Sequence, residues 1–465
     1  MSTPAVAEID LTRPQHVHLV AIGGKAMSAM AEILLAMGHR VTGSDLHDDP
    51  ALARLRAMGA TVWVGHDAAH VSGADLVASS TAVAADNVEL RAAATRGIPT
   101  FARPELQGAI VRTGRPVVIS GTHGKTTTTA LVVMALTRCG VDLSYIIGAS
   151  LGAGIGSARL GTGEWFVAEG DESDGTFLQM GAEVAVVTNV DADHLDRWGT
   201  VDALEAAFDS YLEAATGTTI VCADDPVAAR LGRRHGSISV GTAAEADWRV
   251  VDVTAARDLT RFGLIAPDGE RLEVALALAG LHNARNAALA VAVADTIGLS
   301  RSEVVHALAT WPGLERRFEM RGEVAGVTVV DDYAHNPAKV AAVLSGAASG
   351  GWRRVVAVFQ PHRYSRTADL WEQFADSFSD ADVVWVTELD PSDEAPRPGI
   401  SGQMIVEAVR GAHPDADVRW VPDRAELVER VVADLAPGDL CLTIGAGDIT
   451  EVGPEIITAL EAQNR

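Results

Sequence analysis

The sequence predicts an α/β protein of about three domains with mainly parallel sheets. Short β-branched runs alternate with Ala- and Leu-rich helical stretches from one end of the chain to the other, which is typical of such sheets. At 465 residues, the chain also exceeds what a single hydrophobic core usually supports. Finally, three segments each open with a strand-like run followed by a glycine-bearing or otherwise special turn. Each of these segments is therefore expected to form one domain.

The domain boundaries are expected near Gly114 and Pro312. Gly114 directly precedes a strand-like run, and Pro312 and Gly313 interrupt the helix that leads into WPGLERRFE. The predicted domains comprise residues 1–113, 114–312 and 313–465.

Local patterns place individual strands and helices. Buried strands are predicted at 17–22, 115–119, 184–189, 327–331, 355–359 and 440–444. Ser300 and Glu303 have the spacing of a capping box, so a helix is expected to begin there. A second predicted helix has one apolar face, formed by Val201, Leu204, Phe208 and Tyr211.

The composition argues against several classes of protein. The chain has 62 acidic and 37 basic residues and a formal charge of −25, whereas nucleic acids and anionic membranes attract positively charged proteins. No apolar run approaches the roughly 20 residues that a membrane span needs. The first residues show neither a basic start nor an apolar stretch, so no secretory signal is expected. These features predict a cytoplasmic protein.

The cysteines give no sign of a metal site or a disulfide framework. Cys139, Cys222 and Cys441 are widely spaced and odd in number. They are expected to be small buried hydrophobic residues in a reducing compartment.

The segment PVVISGTHGKTTTTALVVMAL predicts a nucleotide-binding loop. A strand leads into a turn that holds Gly121, Gly124, Lys125 and Thr126, and a helix follows. Backbone N–H groups of such a turn surround phosphate oxygens, and Lys125 neutralises the β- and γ-phosphates. The hydroxyl of Thr126 can bind magnesium. The loop reads GxxGKT, because Ile119 occupies the first glycine position of the longer phosphate-loop pattern.

Acidic side chains and one histidine follow two further strand-like runs. FVAEGDESDGTFL contains Glu169, and VVTNVDADHLDRWG contains His194. The carboxyl ends of parallel strands are where α/β sheets bind their ligands, and Glu169 and His194 suit magnesium. As isolated residues, Glu169, Asp171, Glu172 and Asp174 would more often form a solvated acidic turn, and His194 would more often be an ordinary histidine.

Other motifs are weaker in isolation. VHLVAIGGKAMSAMAEILLAMGHRVTGSD has a strand, a glycine turn, a helix, a second strand and Asp45, which is close to a dinucleotide-binding βαβ unit. GLHNARNAALAVAVA is a helix start with polar caps. The planar guanidiniums of Arg317, Arg363 and Arg366 can hold carboxylate or phosphate in bidentate fashion, although surface arginines are usually just solvated. The glycines of TIGAGDIT fit a plain turn or a ligand contact.

GTHGKTTTT resembles the phosphate loop of the Mur ligase and folylpolyglutamate synthetase superfamily. The acidic, GLHNARN, ERRFEMRG, VVDDYAHNPAKV, FQPHRYSRTADLW and TIGAGDIT motifs follow in the order of that superfamily. The resemblance extends from His18 to Thr450 and is weakest in residues 220–280. It implies a Rossmann-like N-terminal domain, a central P-loop ATPase-like domain and a Rossmann-like C-terminal domain.

The resemblance also implies a role for each matching position. ATP binding is implied for Gly121, Thr122, Gly124, Lys125, Thr126, Thr127, His282, Asn283, Asn286, Arg317 and Asp332. UDP-sugar binding is implied for Gly23, Gly24, Ser44, Asp45 and His123. Amino-acid binding is implied for Tyr333, His335, Arg363 and Arg366. Magnesium binding is implied for Thr126, Glu169 and His194. Catalytic roles are implied for Lys125, His194, Arg317 and Asp332.

Four positions depart from the pattern of the superfamily. Ala21 and Ala26 replace residues that are usually glycine, and Lys25 enters the same turn. Asn336 replaces the second histidine of a YAHHP motif. These departures concern the sugar-nucleotide and amino-acid sites rather than the ATP loop.

The activity implied by the resemblance is ATP-dependent amide formation between UDP-N-acetylmuramate and L-alanine, a step in peptidoglycan precursor synthesis. ATP and Mg²⁺ are the implied cofactors. The implied partners are the two small substrates, with no nucleic acid and no membrane insertion. The chain is expected to be a monomer or a weak homodimer.

Three other functions remain open from the sequence alone. A related ligase attaches a preformed murein tripeptide to the same sugar nucleotide. A nicotinamide oxidoreductase explains Asp45 and the N-terminal βαβ pattern but leaves the GKT loop unused. A regulatory P-loop NTPase would hydrolyse ATP regardless of UDP-sugar and alanine.

Overall fold

The structure is a computed structural model that describes residues 9–151, 155–255, 259–310, 316–348, 350–392 and 394–464. The chain divides into two compact units. The first comprises the described residues within Met1–Asp252, Phe262–Val274 and Ala284–Trp311. The second comprises those within Val253–Arg261, Ala275–Asn283 and Pro312–Arg465. Pro312 and Gly313, on which the second predicted boundary rests, lie outside the described residues.

A five-stranded parallel sheet forms the N-terminal part of the first unit. Its strands are β1 (His16–Val20), β2 (Arg40–Asp45), β3 (Thr61–Val64), β4 (Leu76–Ser79) and β5 (Thr100–Ala102), in the order β3-β2-β1-β4-β5. The helices are α1 (Lys25–Ala36), α2 (Pro50–Ala57), α3 (Val88–Thr95) and α4 (Arg103–Val111). Every residue of β1 is buried, because helices pack on both faces of a parallel sheet.

A ten-stranded sheet follows along the chain. Its strands are β6 (Arg115–Ser120), β7 (Ser144–Ile146), β8 (Ala158–Arg159), β9 (Trp165–Glu169), β10 (Val184–Val187), β11 (Thr218–Cys222), β12 (Ile238–Gly241), β13 (Trp248–Ala255), β14 (Thr260–Ile265) and β15 (Arg271–Leu276). The order is β15-β14-β13-β12-β11-β10-β6-β9-β7-β8, and β6 lies between β10 and β9 with parallel pairing to both. The carboxyl ends of β6, β9 and β10 therefore meet at one edge.

Six helices and one short 3₁₀ helix, Thr176–Gln179, accompany this sheet in the described part of the chain. The helices are α5 (Lys125–Arg138), α6 (Leu195–Trp198), α7 (Val201–Glu213), α8 (Pro226–His235), α9 (Leu281–Thr296) and α10 (Arg301–Ala309). Leu204, Phe208 and Tyr211 of α7 are buried as predicted, whereas Val201 is exposed. Ser300 is the N-cap of α10, but the predicted capping box is wrong, since its side chain makes no cap hydrogen bond.

The second unit contains a six-stranded sheet. Its strands are β16 (Glu319–Val324), β17 (Val327–Asp332), β18 (Val355–Phe359), β19 (Val383–Val386), β20 (Val418–Trp420) and β21 (Leu440–Ile444), in the order β16-β17-β21-β18-β19-β20. Only β16 pairs antiparallel among these described strands. The helices are α11 (Pro337–Ala348), α12 (Tyr364–Leu370), α13 (Gln403–Ala412), α14 (Arg424–Asp434) and α15 (Val452–Gln463), with 3₁₀ segments at Trp371–Asp376 and Asp448–Glu451.

The three sheets confirm the predicted α/β class with mainly parallel strands. Strands lie at all six predicted places, and two of them, β18 and β21, have the predicted bounds. Cys222 and Cys441 are buried as expected, whereas Cys139 is half-buried. No helix within the described ranges has the length and apolar character that a membrane crossing requires.

Candidate active site

The loop between β6 and α5 has the geometry of a phosphate-binding turn. Gly124 has φ +78° and is the N-cap of α5, and Gly121 has φ +132°. A Cβ atom on Gly121 would lie 2.1 Å from Thr188 Oγ1, so a larger residue would clash there. The first N–H groups of a helix lack partners within the helix, and with the helix dipole they favour an anion. The predicted strand, glycine-rich turn and helix are therefore confirmed.

Lys125 is held at the centre of this loop by three oxygen atoms. Its Nζ donates to Gly121 O at 2.6 Å and to Thr122 O at 3.3 Å. The same Nζ lies 2.5 Å from Glu172 Oε2, and the Glu172 side chain is only 1% exposed. The ammonium group is thus fixed beside the N-terminus of α5.

The charge of Lys125 is maintained by neighbouring carboxylates. Burial opposes the ammonium form, but the charges of Glu172, Asp171 and Glu169 raise the pKa of Lys125 above its usual value. Lys125 is therefore a cation at neutral pH, as phosphate binding requires. The sequence analysis named Glu172 only as part of an acidic turn and missed its pairing with Lys125, for which the sequence holds no spacing signal.

Thr126 and Glu169 meet at the carboxyl end of β9. Thr126 Oγ1 donates to Glu169 Oε1 at 2.8 Å, and Gly148 N donates to Glu169 Oε2 at 2.8 Å. A hydroxyl and a carboxylate are the hard oxygen donors that magnesium prefers. No group of three or more His, Cys, Asp and Glu side chains in the described part of the chain is arranged to hold a metal alone. Since magnesium usually binds through one or two carboxylates together with phosphates and water, the pair fits this ion.

His194 lies beside Glu172 rather than on Glu169. Its Nε2 is 3.7 Å from Glu172 Oε1, and its backbone has φ +54°, in the left-handed region. Such a conformation is costly for a residue other than glycine and recurs at functional sites. His194 therefore shares the neighbourhood of Lys125, and its predicted magnesium role stays a prediction.

Residues that follow β10 support the phosphate loop. The Asn189 side chain accepts from His123 N at 2.7 Å and donates to His123 O at 2.8 Å. Asp191 N donates to Thr122 Oγ1 at 2.9 Å. Thr127 lies in the first turn of α5. The sequence analysis missed Asn189, whose role depends on the parallel pairing of β6 with β10.

The residues at the start of α9 have different surroundings. Asn286 lies against the phosphate loop, since a Cβ atom on Gly124 would be 2.9 Å from Asn286 Oδ1. Asn283 Nδ2 donates to Ala279 O at 2.8 Å, and the His282 ring lies against Gly280. Of the three residues predicted to bind nucleotide, Asn286 is thus placed at the loop within the first unit.

The glycine turn after β1 is held by Asp45. Gly23 N donates to Asp45 Oδ2 at 2.8 Å, and Gly24 is the N-cap of α1. Ala21 has φ +61°, a conformation in which glycine is normally found, so its side chain is tolerated at some cost in strain. The predicted βαβ unit that ends at Asp45 is present as β1, α1 and β2.

Ser44 points to the opposite side of β2 from Asp45. It is fully buried, and its hydroxyl donates to Glu89 Oε2 at 2.5 Å. His66 and His70 also contact the Glu89 carboxylate, at 3.1 Å and 2.7 Å. Burial opposes ionisation, but the nearby His18 ring, 3.6 Å away, and hydrogen bonds from Ser44 and His70 hold the pKa of Glu89 at about 2. Ser44 thus belongs to a buried polar network that the sequence analysis did not foresee.

In the second unit, Asp332 lies buried at the end of β17. Its carboxylate accepts from Phe318 N and Ala334 N, both at 2.8 Å. Burial raises the pKa of Asp332, although the charge of Arg317 opposes this shift. The Arg317 guanidinium lies 5.6 Å from the centre of the Tyr333 ring. Arg317, Asp332 and Tyr333 thus lie close together, and their ligand roles stay predictions.

A basic cluster lies at the carboxyl end of β18. Arg366 NH1 is 3.1 Å from His362 Nδ1, and the rings of His362 and His335 are 6.1 Å apart. Burial together with Arg366 and Arg363 lowers the pKa of His362 to about 4. Burial, Arg366 and Lys339 place the pKa of His335 well below its usual value. Both histidines are therefore neutral beside the arginines. His362 was not assigned from the sequence; it precedes the N-cap of α12, so helical spacing does not signal its contact with Arg366.

The glycines of TIGAGDIT form a tight turn. Arg316 NH2 donates to Gly445 O at 2.7 Å and to Gly447 O at 3.2 Å. A Cβ atom on Gly447 would lie 2.2 Å from Asp390 Oδ2. These contacts support the interpretation of a structural turn held by Arg316, a residue the sequence analysis did not single out.

Comparison with known proteins finds family models that match most of the chain. Three family models match: "Mur ligase family, catalytic domain" at residues 16–115, "Mur ligase middle domain" at 119–294 and "Mur ligase, glutamate ligase domain" at 316–447. The UDP-N-acetylmuramate–L-alanine ligase of Anaeromyxobacter sp. (strain Fw109-5) is 42% identical over 97% of this chain and 99% of its own length. The corresponding ligase of Myxococcus xanthus is 41% identical over 96% and 95%.

Solved structures show the same fold. The crystal structure of the UDP-N-acetylmuramate-alanine ligase from Thermotoga maritima matches with a TM-score of 0.81 and 27% identity, over 97% of this chain and all of that one. A murein peptide ligase from Psychrobacter arcticus has the same fold, with a TM-score of 0.71 and 24% identity over 96% and 98%. The matches extend over the three predicted domains, and the chain therefore belongs to the Mur ligase family.

Proposed function

We propose that this chain is a cytoplasmic, ATP-dependent ligase that joins the carboxylate of UDP-N-acetylmuramate to the amine of L-alanine in peptidoglycan precursor synthesis. The observation that carries the proposal is the position of the Lys125 ammonium beside the N-terminus of α5, with Thr126 and Glu169 adjoining. Relatives of the same length that are about 40% identical are named as ligases of these two substrates. The three predicted domains, 1–113, 114–312 and 313–465, supply the sugar-nucleotide, ATP and amino-acid sites.

The chemistry requires that the carboxylate be activated, because a carboxylate at neutral pH is a poor electrophile. One carboxylate oxygen attacks the γ-phosphorus and ADP leaves, which gives an acyl phosphate. The alanine nitrogen then attacks the acyl carbon, loses a proton, and phosphate leaves with its electron pair. Lys125 and the N–H groups of α5 stabilise charge on the transferring phosphoryl group. Bound magnesium would add a Lewis acid at Thr126, Glu169 and His194.

An isotope experiment tests this route directly. UDP-N-acetylmuramate labelled with ¹⁸O in its carboxylate should transfer one labelled oxygen to the released phosphate, because the attacking oxygen stays on phosphorus. Mass spectrometry of the phosphate provides the readout. Amide product formed together with unlabelled phosphate would refute the acyl phosphate.

Arg363 is the residue on which amino-acid binding depends most clearly. It is exposed at the N-cap of α12, and its backbone N–H donates to Asp390 O at 2.8 Å, so the side chain projects from a fixed point. Arg363→Ala should raise the KM for L-alanine about 10- to 100-fold, and the KM for ATP much less, since a charge-assisted bond to the carboxylate is lost. Steady-state kinetics with each substrate varied will measure both constants.

The matched control is Arg410→Ala, in the same unit, whose guanidinium donates to Val418 O at 2.7 Å. This variant should keep both constants close to their wild-type values. An equal rise of both constants in Arg363→Ala would remove Arg363 from the amino-acid site.

Asn336, which departs from the family pattern, has a structural role in this chain. Its Oδ1 accepts from Lys339 N at 2.9 Å and caps α11. Asn336→His should lower the free energy of unfolding by about 1 kcal/mol, because the cap is lost. It should preserve the alanine preference and change the pH profile, since histidine can become cationic near neutral pH. Thermal unfolding and pH–rate profiles test this, and a variant that prefers another amino acid would contradict it.

A further inference from the structure

The N-terminal domain contributes one cation to the acidic turn at residues 169–174, and both lie in the first compact unit. Arg103 is the first residue of α4, and its guanidinium forms ion pairs with Asp174 and, at 3.5 Å, with Asp171 Oδ2. The side chains of Arg103 and Asp174 are 13% and 10% exposed. Solvent therefore screens this pair less than it screens an ordinary surface ion pair.

Helix stability does not explain an arginine at this position. The N-terminus of a helix carries partial positive charge, which disfavours a cation in the first turn. Glu105 already supplies the favourable interaction, because its carboxylate accepts from Ala102 N at 2.7 Å. Arg103 NH1 also donates to Gln107 Oε1 at 3.1 Å, which fixes the side chain toward the turn. The carboxylates of the turn account for the placement of Arg103.

The same turn carries the carboxylates of the nucleotide site. Glu172 lies between the two aspartates that Arg103 contacts, and it pairs with Lys125 at 2.5 Å. Glu169, at the start of the turn, accepts from Thr126 at 2.8 Å. A displacement of the turn would therefore move both groups that contact the phosphate loop.

The charged groups in this region have an excess of negative charge. Four carboxylates are opposed by the cations Lys125 and Arg103, and the carboxylates are Glu169, Asp171, Glu172 and Asp174. A triphosphate adds further negative charge beside Lys125. Loss of Arg103 would leave the turn more negative and more repulsive to a nucleotide.

We infer that Arg103 is a positioning residue of the nucleotide site. It fixes residues 169–174 so that Glu172 contacts Lys125 and Glu169 contacts Thr126. Its positive charge also reduces the repulsion between the acidic turn and the phosphates of the nucleotide. This inference rests on the proposed function, because it takes the loop at Lys125 as the ATP site.

The test replaces Arg103 with methionine, which keeps much of the apolar stem and removes the charge. The dissociation constant for Mg-ATP, measured by titration calorimetry, and the KM for ATP should each rise about tenfold. The KM values for L-alanine and UDP-N-acetylmuramate should stay within about twofold. The defect should shrink at high ionic strength. Arg103→Lys, which keeps the charge without the planar fork, should give a smaller defect and covers the case in which Arg103→Met does not fold.

Arg112→Met is the matched control. Arg112 immediately follows α4, and its NH1 donates to Gln179 O in the 3₁₀ helix after the same turn, without contact to the turn's carboxylates. Arg112→Met and Arg103→Met should lower the melting temperature by similar amounts, but Arg112→Met should keep wild-type affinity for ATP.

ATP affinity that is unchanged in Arg103→Met, or reduced equally in Arg103→Met and Arg112→Met, would overturn the inference. A rise in the KM for UDP-N-acetylmuramate alone would also overturn it and make Arg103 a ligand of the sugar nucleotide. A wild-type protein that does not bind ATP would overturn the proposed function itself, and this outcome is visible before any variant is made.

Discussion

Replacement of Lys125 with alanine is expected to reduce kcat/KM by at least about 10²–10³-fold, because a preorganised charge at the transferring phosphoryl group is lost. The ammonium is fixed by Gly121 O, Thr122 O and Glu172, so it is held in place before the nucleotide binds. Phosphate release in the presence of both substrates is the measurement. Circular dichroism and thermal unfolding should show that the variant is folded.

Stability requires its own control, since removal of Lys125 leaves the buried Glu172 carboxylate without its cation. Breaking a buried ion pair from one side typically costs about 3–5 kcal/mol. The double variant Lys125→Met with Glu172→Gln removes both charges and should recover much of that stability while remaining inactive. Activity within a few-fold of wild type in either folded variant would remove this loop from the ATP site.

The second large effect is expected at the magnesium residues. Glu169→Ala and His194→Ala should each raise the magnesium concentration for half-maximal activity about 10-fold or more and slow acyl-phosphate formation. Glu169 is the stronger case, because its carboxylate adjoins Thr126 Oγ1 at 2.8 Å, whereas His194 lies beside Glu172. Magnesium titrations of phosphate release at saturating ATP will provide the values.

Glu164→Ala is the control for the metal variants. Glu164 directly precedes β9, at the opposite end of the strand from Glu169, and is largely exposed. Its magnesium titration should match that of the wild type. If the titrations of Glu169→Ala and His194→Ala also match, both residues return to the interpretation of an ordinary acidic turn and histidine.

The parts of the site that the sequence predicted are those whose chemistry is local. The loop at Lys125 could be predicted because its glycines, lysine and threonine are contiguous and lie between a strand and a helix. Arg363 and Arg366 are likewise close together along the chain. In both cases short-range spacing carries the information, whereas Asp332 was assigned through the family resemblance.

The contacts that the sequence did not predict join distant segments. Lys125 follows β6 and Glu172 follows β9, and the pairing of these two strands brings the residues together. Arg103 lies 71 residues from Asp174 along the chain. Electrostatic pairing of this kind leaves no periodic signal, because the sequence does not show which arginine pairs with which aspartate. Asn189 belongs to this group, since its contact with His123 depends on the pairing of β6 with β10.

Ser44 shows a limit of the sequence-based site prediction that the geometry of a β-strand explains. The family resemblance implied sugar-nucleotide binding for both Ser44 and Asp45, which are adjacent in β2. Successive side chains of a strand point to opposite faces, however, and Ser44 faces the buried Glu89 while Asp45 faces the turn at Gly23. The alternation of side chains along β2 can be predicted from the sequence, and it favours only one of the two residues as a direct ligand.

The most direct test of the account is phosphate release from ATP and UDP-N-acetylmuramate across a panel of L-alanine, glycine, L-serine, an acidic amino acid and a murein tripeptide. The account predicts that release requires both the sugar nucleotide and an amino acid, with the highest kcat/KM for L-alanine. Glycine and L-serine should react more slowly, by about 10- to 200-fold, because a missing methyl or an added hydroxyl changes binding only modestly. Preference for the acidic amino acid or the tripeptide, or release that ignores the sugar nucleotide, would contradict it.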